Sequence, residues 1–291
     1  MKRKKIWMIA LLGSLVLSGC GQDTLVSEQN VAETVAQTEE TLETESSAEE
    51  SKPEKESEQE ETSGTGAGQE EKQLEVTLYA DFKNGCPSTF EPSGDWTNGS
   101  MFNVTWRKTS CTYEDEKLQL TIDHDPKGKD IPYSGAELRS KDFYGYGRYE
   151  VSMKAIKNDG VVSSFFTYTG PSDNNPWDEI DIEILGKDTT KVQFNYYTNG
   201  KGNHEKLVDL GFDASEDFHT YAFEWRKNRI DWFVDGERVH TALTNIPKTE
   251  GRIMMNAWCG TGVDGWLNAF DDSNLPLTAE YQWISFAPIE E

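Results

Sequence analysis

Three acidic residues at alternate positions in the stretch NNPWDEIDIEILG, residues 174–186, are the first candidates for chemistry in this chain. Glu179, Asp181 and Glu183 alternate with three isoleucines. Strict alternation predicts a half-buried strand, because successive side chains of a strand point to opposite faces of the sheet. One face would carry the isoleucines, and the other would carry three carboxylates with Trp177 in line.

Three carboxylates on one strand face need an explanation, because like charges repel and acidic residues are poor strand formers. One explanation is a solvated acidic edge that discourages aggregation between sheets. The other is paired-acid catalysis. Glycoside hydrolysis needs one ionised carboxylate and one carboxylic acid, which lie about 5 Å apart in retaining enzymes. The bulky Trp177 on this face, and the lack of interleaved lysine or arginine, favour catalysis.

The spacing of the acids sets limits on the geometry of such a pair. Glu179 and Glu183 would have Cα atoms about 13 Å apart on a strand that rises roughly 3.3 Å per residue. Two glutamate side chains that bend inward on a concave face would close most of this gap. Asp181 would lie between them, where it can hydrogen-bond one glutamate and raise the proton affinity of the other. The spacing does not assign the two roles, and it leaves Glu179 with Asp181 open as the working pair.

The rest of residues 76–291 has the pattern of an all-β domain. Asn-Gly and Asp-Gly turn signals recur between runs rich in β-branched and aromatic residues, such as GRYEVSMKA, VVSSFFTYT, KVQFNYYT, TYAFEWR and YQWISFAP. Many short strands with hardly any helical periodicity predict a β-sandwich or barrel. In RIDWFVDGERVHTA, the dipeptide Asp235-Gly236 suits a two-residue primed turn, so this stretch predicts a hairpin.

Eight of the nine tryptophans lie in this domain. Trp225, Trp232 and Trp283 occur in apolar strand patterns and are predicted to belong to the core, because aromatic side chains dominate the packing of β-sandwiches. Trp177 and Trp258 occur beside polar, glycine-rich loop sequence. A platform on which a sugar ring stacks is at least as good an interpretation of these two.

The first 75 residues have a different composition. Residues 1–20 combine a basic start with a short apolar run and end in Leu-Ser-Gly-Cys, which predicts a lipoprotein signal peptide with Cys20 as the lipid-modified residue. An ordinary signal peptide with a cysteine at its end is the alternative. Residues 21–75 contain 17 acidic residues, three lysines and no aromatic residue, and are predicted to form a disordered acidic linker. The mature protein is expected to be an extracellular, cell-surface lipoprotein that Cys20 anchors to the membrane.

Charge and residue types exclude some partners and cofactors. The formal net charge is −24, and residues 76–291 keep an acidic excess, which argues against nucleic acid and fits a neutral substrate. The four histidines are scattered and no CxxC or HExxH motif occurs, so no metal site is predicted. Cys86, Cys111 and Cys259 allow one disulfide, but the sequence does not say which pair would form it. The domain is expected to be a monomer.

The motif DEIDIEILG resembles the active-site strand of glycoside hydrolase family 16. Residues 161–200, and stretches such as NGSMFNVTW, GAELRS, YGYGRYEVSMK, HTYAFEW, WFVDGERVHTA and IMMNAWCGTGVDGWL, are similar to the bacterial lichenases (endo-β-1,3-1,4-glucanases) of that family. The resemblance runs through nearly all of residues 80–287. It implies a jelly-roll β-sandwich of two curved antiparallel sheets, like concanavalin A, with the substrate cleft on the concave face.

The resemblance also implies roles for individual residues. Glu179 would be the nucleophile, Glu183 the general acid/base, and Asp181 the residue that assists them, in a hydrolysis that retains anomeric configuration. The substrate would be mixed-linkage β-glucan, such as lichenan or cereal β-glucan, cut at β-1,4 bonds next to β-1,3 linkages. The implied substrate contacts are Asn98, Glu137, Arg139, Tyr168, Trp177, Gln193, Asn195, Tyr197, Asn256, Trp258 and Trp266.

Two departures from the Bacillus-type lichenases are visible. The two positions of their disulfide correspond here to Val104 and Ser134, so that bridge is absent. The aspartate that binds their structural calcium corresponds to Gln282. Loss of the one charged ligand should leave calcium weakly bound or missing, and no cofactor is expected to be required.

Two other functions remain open. A non-catalytic carbohydrate-binding sandwich would keep the aromatic residues but would not need both glutamates, and both are present. A family relative that acts on laminarin or xyloglucan would keep the chemistry. Such laminarinases commonly carry one extra residue in the acidic motif, and xyloglucan transglycosylases carry a C-terminal extension. Neither feature occurs in this sequence, so a lichenase is expected.

Overall fold

A computed structural model describes residues 74–290 of the chain. The predicted signal peptide at residues 1–20 and nearly all of the predicted linker at residues 21–75 lie outside the described residues. The described part consists of sixteen β-strands, a four-residue α-helix, three 3₁₀ helices (Lys108–Ser110, Pro171–Asp173 and Asp272–Asn274) and short connecting turns.

The bounds of these elements follow the turn signals in the sequence. The strands are β1 (Leu78–Asp81), β2 (Phe90–Pro92), β3 (Val104–Trp106), β4 (Cys111–Glu114), β5 (Lys117–His124), β6 (Tyr133–Ser140), β7 (Gly147–Lys154), β8 (Val161–Thr169), β9 (Asp178–Leu185), β10 (Lys191–Tyr197), β11 (Lys206–Asp209), β12 (His219–Arg226), β13 (Arg229–Val234), β14 (Glu237–Ala242), β15 (Arg252–Cys259) and β16 (Leu277–Pro288). The helix is α1 (Asp264–Leu267).

The strands form one hydrogen-bonded path that folds into two layers. The first layer, here called the site sheet, has the order β11-β10-β9-β8-β15-β6, with β2 and β3 also paired to β6. The second layer, the outer sheet, has the order β5-β16-β7-β12-β13-β14, with β4 on β5 and β1 on β16. The layers join where β5 pairs with β6 over two residue pairs. Every strand pair is antiparallel except β3 with β6, so the predicted all-β antiparallel fold is confirmed.

The two sheets pack face to face through aromatic side chains. The ring of Phe165 in β8 lies 6.1 Å from that of Phe223 in β12, measured between centroids, and Phe194 in β10 stacks on Trp232 in β13 at 5.5 Å. Trp232 Nε1 also donates a hydrogen bond to the backbone oxygen of Asp181 at 3.2 Å. Burying each such side chain contributes about 1.5–3 kcal/mol. This core therefore holds the site sheet against a rigid support.

The predicted hairpin between β13 and β14 is confirmed. The two strands pair antiparallel, and the turn residues Asp235 and Gly236 have φ angles of 48° and 84°. A primed turn requires positive φ at both central residues, which asparagine, aspartate and glycine tolerate best.

The predictions for the core tryptophans have mixed outcomes. Trp225 and Trp232 are buried as expected, whereas the prediction for Trp283 is wrong. The pairing of β16 with β7 contains a bulge at Gln282. Beyond this bulge the large apolar side chains of Ile284 and Phe286 are the ones that point into the core, so Trp283 faces outward and is partly exposed.

Candidate active site

Three acidic side chains of β9, those of Glu179, Asp181 and Glu183, lie on one face of the site sheet. The three isoleucines that alternate with them are at most 1% exposed and face the outer sheet, which confirms the alternation predicted from the sequence. On the opposite face, Asp181 is 6% exposed, while Glu179 and Glu183 are partly exposed. The three carboxylates therefore lie on a face that solvent or a ligand can reach.

Neighbouring strands add polar and aromatic residues to the same face in three rows. Directly paired residues of antiparallel strands point to the same side of the sheet, so each row is a line of neighbours. The rows are Tyr197–Glu179–Tyr168–Arg252, Asn195–Asp181–Phe166–Met254–Arg139 and Gln193–Glu183–Ser164–Asn256–Glu137. Ten of the fourteen predicted catalytic and substrate-contact residues are thus brought together from β6, β8, β9, β10 and β15.

Glu179 has two neutral hydrogen-bond partners. Trp177 Nε1 donates to its Oε2 at 2.6 Å, and the indole ring of Trp177 stacks on Tyr197 with centroids 4.6 Å apart. A hydrogen bond also links Glu179 to Asp181. Burial raises the pKa of Glu179 to about 7, and both hydrogen bonds act to lower it.

Glu183 is held by a residue of the neighbouring strand β10. Gln193 Nε2 donates to its Oε2 at 2.8 Å, and Gln193 Oε1 in turn accepts a hydrogen bond from Trp266 Nε1 at 3.1 Å. Burial raises the pKa of Glu183 to about 8, and the nearby charge of Glu179 adds to the shift. The bond from Gln193 opposes this shift.

Asp181, between the two glutamates, also resists ionisation. Burial raises its pKa well above the ordinary value, and the charges of Glu179 and Glu183 and the hydrogen bond to Glu179 act in the same direction. A protonated Asp181 can donate to Glu179 and so stabilise the ionised form of that glutamate. The cluster can therefore hold one ionised and one protonated glutamate near neutral pH.

The remaining predicted contact residues lie beside these rows. Asn98 Oδ1 accepts a hydrogen bond from Trp106 Nε1 at 2.5 Å. Trp258 is 3% exposed and packs on Phe102, with ring centroids 4.2 Å apart, so it offers a ligand no open ring face in this structure. Trp266 of α1 lies next to Trp258, with centroids 6.0 Å apart.

A second buried acid, Glu137, lies at the far end of the row that contains Glu183. Ser93 Oγ donates to its Oε1 at 2.6 Å. Burial raises the pKa of Glu137, against the lowering effect of hydrogen bonds with Ser93 and Asn256. Arg139 forms an ion pair with Glu91 at 2.9 Å, so its charge is already partnered at this end of the face.

Sequence reasoning missed several residues of this face. Ser93 and Ser164 are buried and bind Glu137 and Asn256, respectively, yet serine has no pattern that marks such a role. Glu205, from the connection between β10 and β11, accepts a hydrogen bond from Asn195 Nδ2 at 3.4 Å. Its charge acts to raise the pKa of both Asp181 and Glu183. The fold alone brings this loop residue to the acidic cluster.

Residues 74–290 contain three free cysteines but no cluster of metal ligands. This range contains no group of three or more His, Cys, Asp or Glu residues that could hold a metal ion. Gln282 is uncharged, and its Oε1 accepts a hydrogen bond from Ser152 Oγ at 2.9 Å, so it does not fit a calcium site of the carboxylate type. Cys86, Cys111 and Cys259 are free thiols. No helix in this range is long and apolar enough to cross a membrane.

Comparisons with known proteins agree with this geometry. The profile of the glycosyl hydrolases family 16 matches residues 98–284. A xylanase/β-glucanase of Ruminococcus flavefaciens is 58% identical over 216 residues, which are 72% of this chain and 27% of that protein. A β-glucanase of Acetivibrio thermocellus is 57% identical over 215 residues, which are 74% of this chain and 64% of that protein. The chain thus spans less than two thirds of either relative's length.

A solved structure with a similar fold is a β-1,3-1,4-glucanase (lichenase) derived from a mouse hindgut metagenome. It superposes with a TM-score of 0.71 and 53% identity over 73% of this chain and 99% of that one. The curved antiparallel jelly-roll fold predicted from the sequence is therefore confirmed for the described domain. The extent and identity of these matches show that the chain belongs to glycosyl hydrolases family 16.

Proposed function

We propose that this protein is a retaining endo-β-glucanase that hydrolyses β-1,4 bonds next to β-1,3 linkages in mixed-linkage β-glucan. One observation carries the proposal: Glu179 and Glu183 share a face of β9, and Glu179 has hydrogen bonds from Trp177 and Asp181 while Glu183 has one from Gln193, which stabilises the ionised form better at Glu179. A pair of titratable groups with different proton affinities is what acid and base roles require. The names of similar proteins, β-glucanase and lichenase, support the choice of substrate.

In the first step, a carboxylate oxygen of Glu179 attacks the anomeric carbon of the glucosyl unit. Glu183 gives its proton to the glycosidic oxygen as the bond from that oxygen to the anomeric carbon breaks. The products are a covalent glycosyl–enzyme ester and a shortened glucan with a free hydroxyl. Trp177 and Asp181 hold the Glu179 carboxylate in the ionised form that this attack needs.

In the second step, the ionised Glu183 takes a proton from water as the water oxygen attacks the same anomeric carbon. The ester bond breaks and returns Glu179 as a carboxylate, while Glu183 is again protonated. Two displacements at one carbon retain the anomeric configuration. Gln193 keeps the Glu183 carboxyl group in place for both proton transfers.

A neutral, hydroxyl-rich polymer suits the face that surrounds these acids. The rows beside β9 present amide, hydroxyl and aromatic groups from Asn195, Gln193, Tyr168 and Tyr197. Such groups can bind sugar hydroxyls and stack on sugar rings without a charge on the ligand. We propose these residues, with the other predicted contacts, as the substrate-binding surface.

The test is reducing-sugar release by the purified protein from mixed-linkage β-glucan, laminarin, carboxymethyl cellulose and xyloglucan in parallel. Hydrolysis of the mixed-linkage polymer alone is expected. Hydrolysis chiefly of laminarin or xyloglucan would retain the two glutamates but overturn the substrate. Binding without hydrolysis of any of the four would overturn the enzymatic proposal in favour of a carbohydrate-binding protein.

We also propose that Cys20 anchors the enzyme to a membrane and that residues 21–75 act as an acidic tether. The basic start, short apolar run and Leu-Ser-Gly-Cys ending of residues 1–20 support this proposal. The variant Cys20→Ala is expected to be released from membranes during fractionation of the producing cells. Continued membrane association of this variant would refute the anchor.

A further inference from the structure

A buried carboxylate next to Glu179 has no part in the mechanism above. Asp178 is the first residue of β9 and is 5% exposed. Because side chains alternate along a strand, it points to the face opposite the one that carries Glu179. Its role must therefore lie behind the acidic face.

The carboxylate of Asp178 binds two separate loops through their backbone. Its Oδ1 accepts a hydrogen bond from the N–H of Asn199 at 2.9 Å. Its Oδ2 accepts from the N–H of Lys248 at 2.9 Å and from the N–H of Thr249 at 3.0 Å. Asn199 belongs to the turn after β10, and the other two donors belong to the connection between β14 and β15. One side chain thus ties the start of β9 to both loops.

The turn after β10 in turn holds Trp177. The N–H of Gly200 donates to the backbone oxygen of Trp177 at 2.8 Å. Gly200 has a φ of 73°, a conformation that residues with a Cβ rarely adopt, and a Cβ at this position would lie 3.5 Å from Cε3 of the Trp177 indole. Trp177 then donates its indole N–H to Glu179. A chain of contacts therefore runs from Asp178 through this turn to Glu179.

We propose that Asp178 is a positioning residue that locks the turn at residues 198–201 and the loop at residues 243–251, so that the indole N–H of Trp177 stays directed at Glu179. The inference rests on the proposed glycosidase function. A carboxylate suits this task because hydrogen bonds to an ionised acceptor are stronger than neutral ones. An asparagine would offer one acceptor oxygen and place an NH₂ group against backbone donors.

The primary test is the variant Asp178→Asn, assayed on mixed-linkage β-glucan over a range of pH. We expect kcat to fall about tenfold or more, with a smaller change in KM, because small misplacements of catalytic groups are costly. The acidic limb of kcat/KM should also move to higher pH, because the bond from Trp177 lowers the pKa of Glu179. Wild-type kcat and an unshifted acidic limb in the folded variant would overturn the proposal.

The matched control is Asp213→Asn. Asp213 also receives several hydrogen bonds, from Thr189 Oγ1 at 2.5 Å and from Ser215 N at 3.0 Å, but it lies near the other end of β9. This variant should melt at a lower temperature while keeping the wild-type kcat and pH profile. An equal shift of the acidic limb in the control would show a general loss of stability and overturn a specific role for Asp178.

A double-mutant cycle with Trp177→Phe tests whether Asp178 acts on Glu179 through Trp177. If Asp178 acts through Trp177, the double variant should lose much less activity than the product of the two single losses. Fully multiplicative losses would overturn the proposed route.

If Asp178→Asn does not fold, Thr198→Ala provides a milder break of the same turn, since Thr198 Oγ1 donates to the backbone oxygen of Asn245. The same direction of shift is then expected, and a wild-type profile would again overturn the proposal.

Hydrogen exchange separates this inference from the proposed function. In Asp178→Asn, the backbone amides of Asn199, Lys248 and Thr249 should lose protection, and this measurement needs no substrate. Unchanged protection at all three amides would overturn the proposal that Asp178 holds the two loops in place. A wild-type protein that hydrolyses none of the four glucans would instead refute the proposed function, whatever the exchange data show.

Discussion

Glu280 of the outer sheet and the acidic cluster of β9 in the site sheet have opposite kinds of partner. On the outer sheet, Glu280 lies between two lysines, with Lys117 Nζ at 2.7 Å and Lys154 Nζ also in ion-pair contact. On the site sheet, the described residues provide no cation within ion-pair distance of Glu179 or Glu183. Their partners are Trp177, Gln193 and Asp181.

This difference in partners changes the proton affinity of the acids. Although burial raises the pKa of Glu280, hydrogen bonds from Lys117 and Lys154 outweigh it and lower the pKa below its ordinary value. Burial raises the pKa of Glu179 and Glu183, and their neutral partners reverse only part of the shift. An acid beside lysines stays ionised and stabilises the fold, whereas an acid without a cation can exchange protons near neutral pH.

The two regions should also respond to pH in opposite directions. A carboxyl group with a lowered pKa in the folded state stabilises the protein above its unfolded pKa, and this contribution is lost as pH falls through the folded pKa. A carboxyl group with a raised pKa destabilises the folded state as pH rises above the unfolded pKa. The acidic cluster therefore costs stability at the pH where it would work, which is a common trade-off at active sites.

The largest expected effect comes from removing the proposed nucleophile. Glu179→Ala should lower kcat on mixed-linkage β-glucan by about 1000-fold or more, because no other group can form the glycosyl ester. The domain should stay folded, because the change removes a carboxyl group that burial penalises. Azide should restore turnover and yield an α-glycosyl azide if the enzyme is retaining. Near-wild-type hydrolysis by the folded variant, or a β-configured azide product, would contradict the role of Glu179.

The next effect is expected at the other glutamate, where the loss depends on the leaving group of the substrate. Glu183→Gln keeps the size of the side chain but removes the transferable proton, so kcat/KM on the polymer should fall by about 100- to 10,000-fold. An aryl glycoside with a good leaving group should be affected much less in the first step, because its departure needs little protonation. Equal losses on the two substrates would argue against a general acid at this position.

Breaking the hydrogen bond between Gln193 and Glu183 should sharpen the comparison further. Gln193→Leu removes the neutral donor to Glu183 while leaving both glutamates in place. Because the bond from Gln193 lowers the pKa of Glu183, its loss should raise that pKa and move the alkaline limb of kcat/KM to higher pH. We expect a loss of about tenfold at the optimum. An alkaline limb that moves to lower pH would show that Gln193 does not act on the proton of Glu183.

The site shows which features of the molecule can be predicted from sequence. Alternation along β9 predicts the face of its acids because the period of a strand is two, and the Asp-Gly dipeptide predicts the hairpin because few residues tolerate its φ angles. Glu205 and Ser93 gave no such signal, because their positions depend on how distant strands pack. The apolar strand pattern predicts a core position for Trp283, and this prediction is wrong because a one-residue bulge, invisible in that pattern, exchanges the faces of the strand.

The positions of the strands, too, can be predicted from the sequence only in part. β7, β8 and β10 follow β-branched and aromatic runs, and their positions could be predicted. β6 has the sequence YSGAELRS, whose glycine, alanine and charged residues are weak strand formers. It is nevertheless central, because it pairs with β15 on one side and β2 on the other. Tertiary pairing therefore overrides local propensity where the strand carries residues for the site, here Glu137 and Arg139.

The smallest expected effect is on the outer sheet, where Lys154→Met removes one of the two partners of Glu280. The pair is only partly exposed, yet solvent still screens it, so a loss of about 1 kcal/mol in the free energy of unfolding is expected at neutral pH. The two lysines lower the pKa of Glu280, so the difference between variant and wild type should shrink as pH falls and Glu280 becomes protonated. Denaturant titrations at several pH values measure this difference, and activity on β-glucan should not change. A stability difference that grows toward acid pH would contradict the assignment of Glu280 as an ionised structural acid, and with it the contrast between the two sheets.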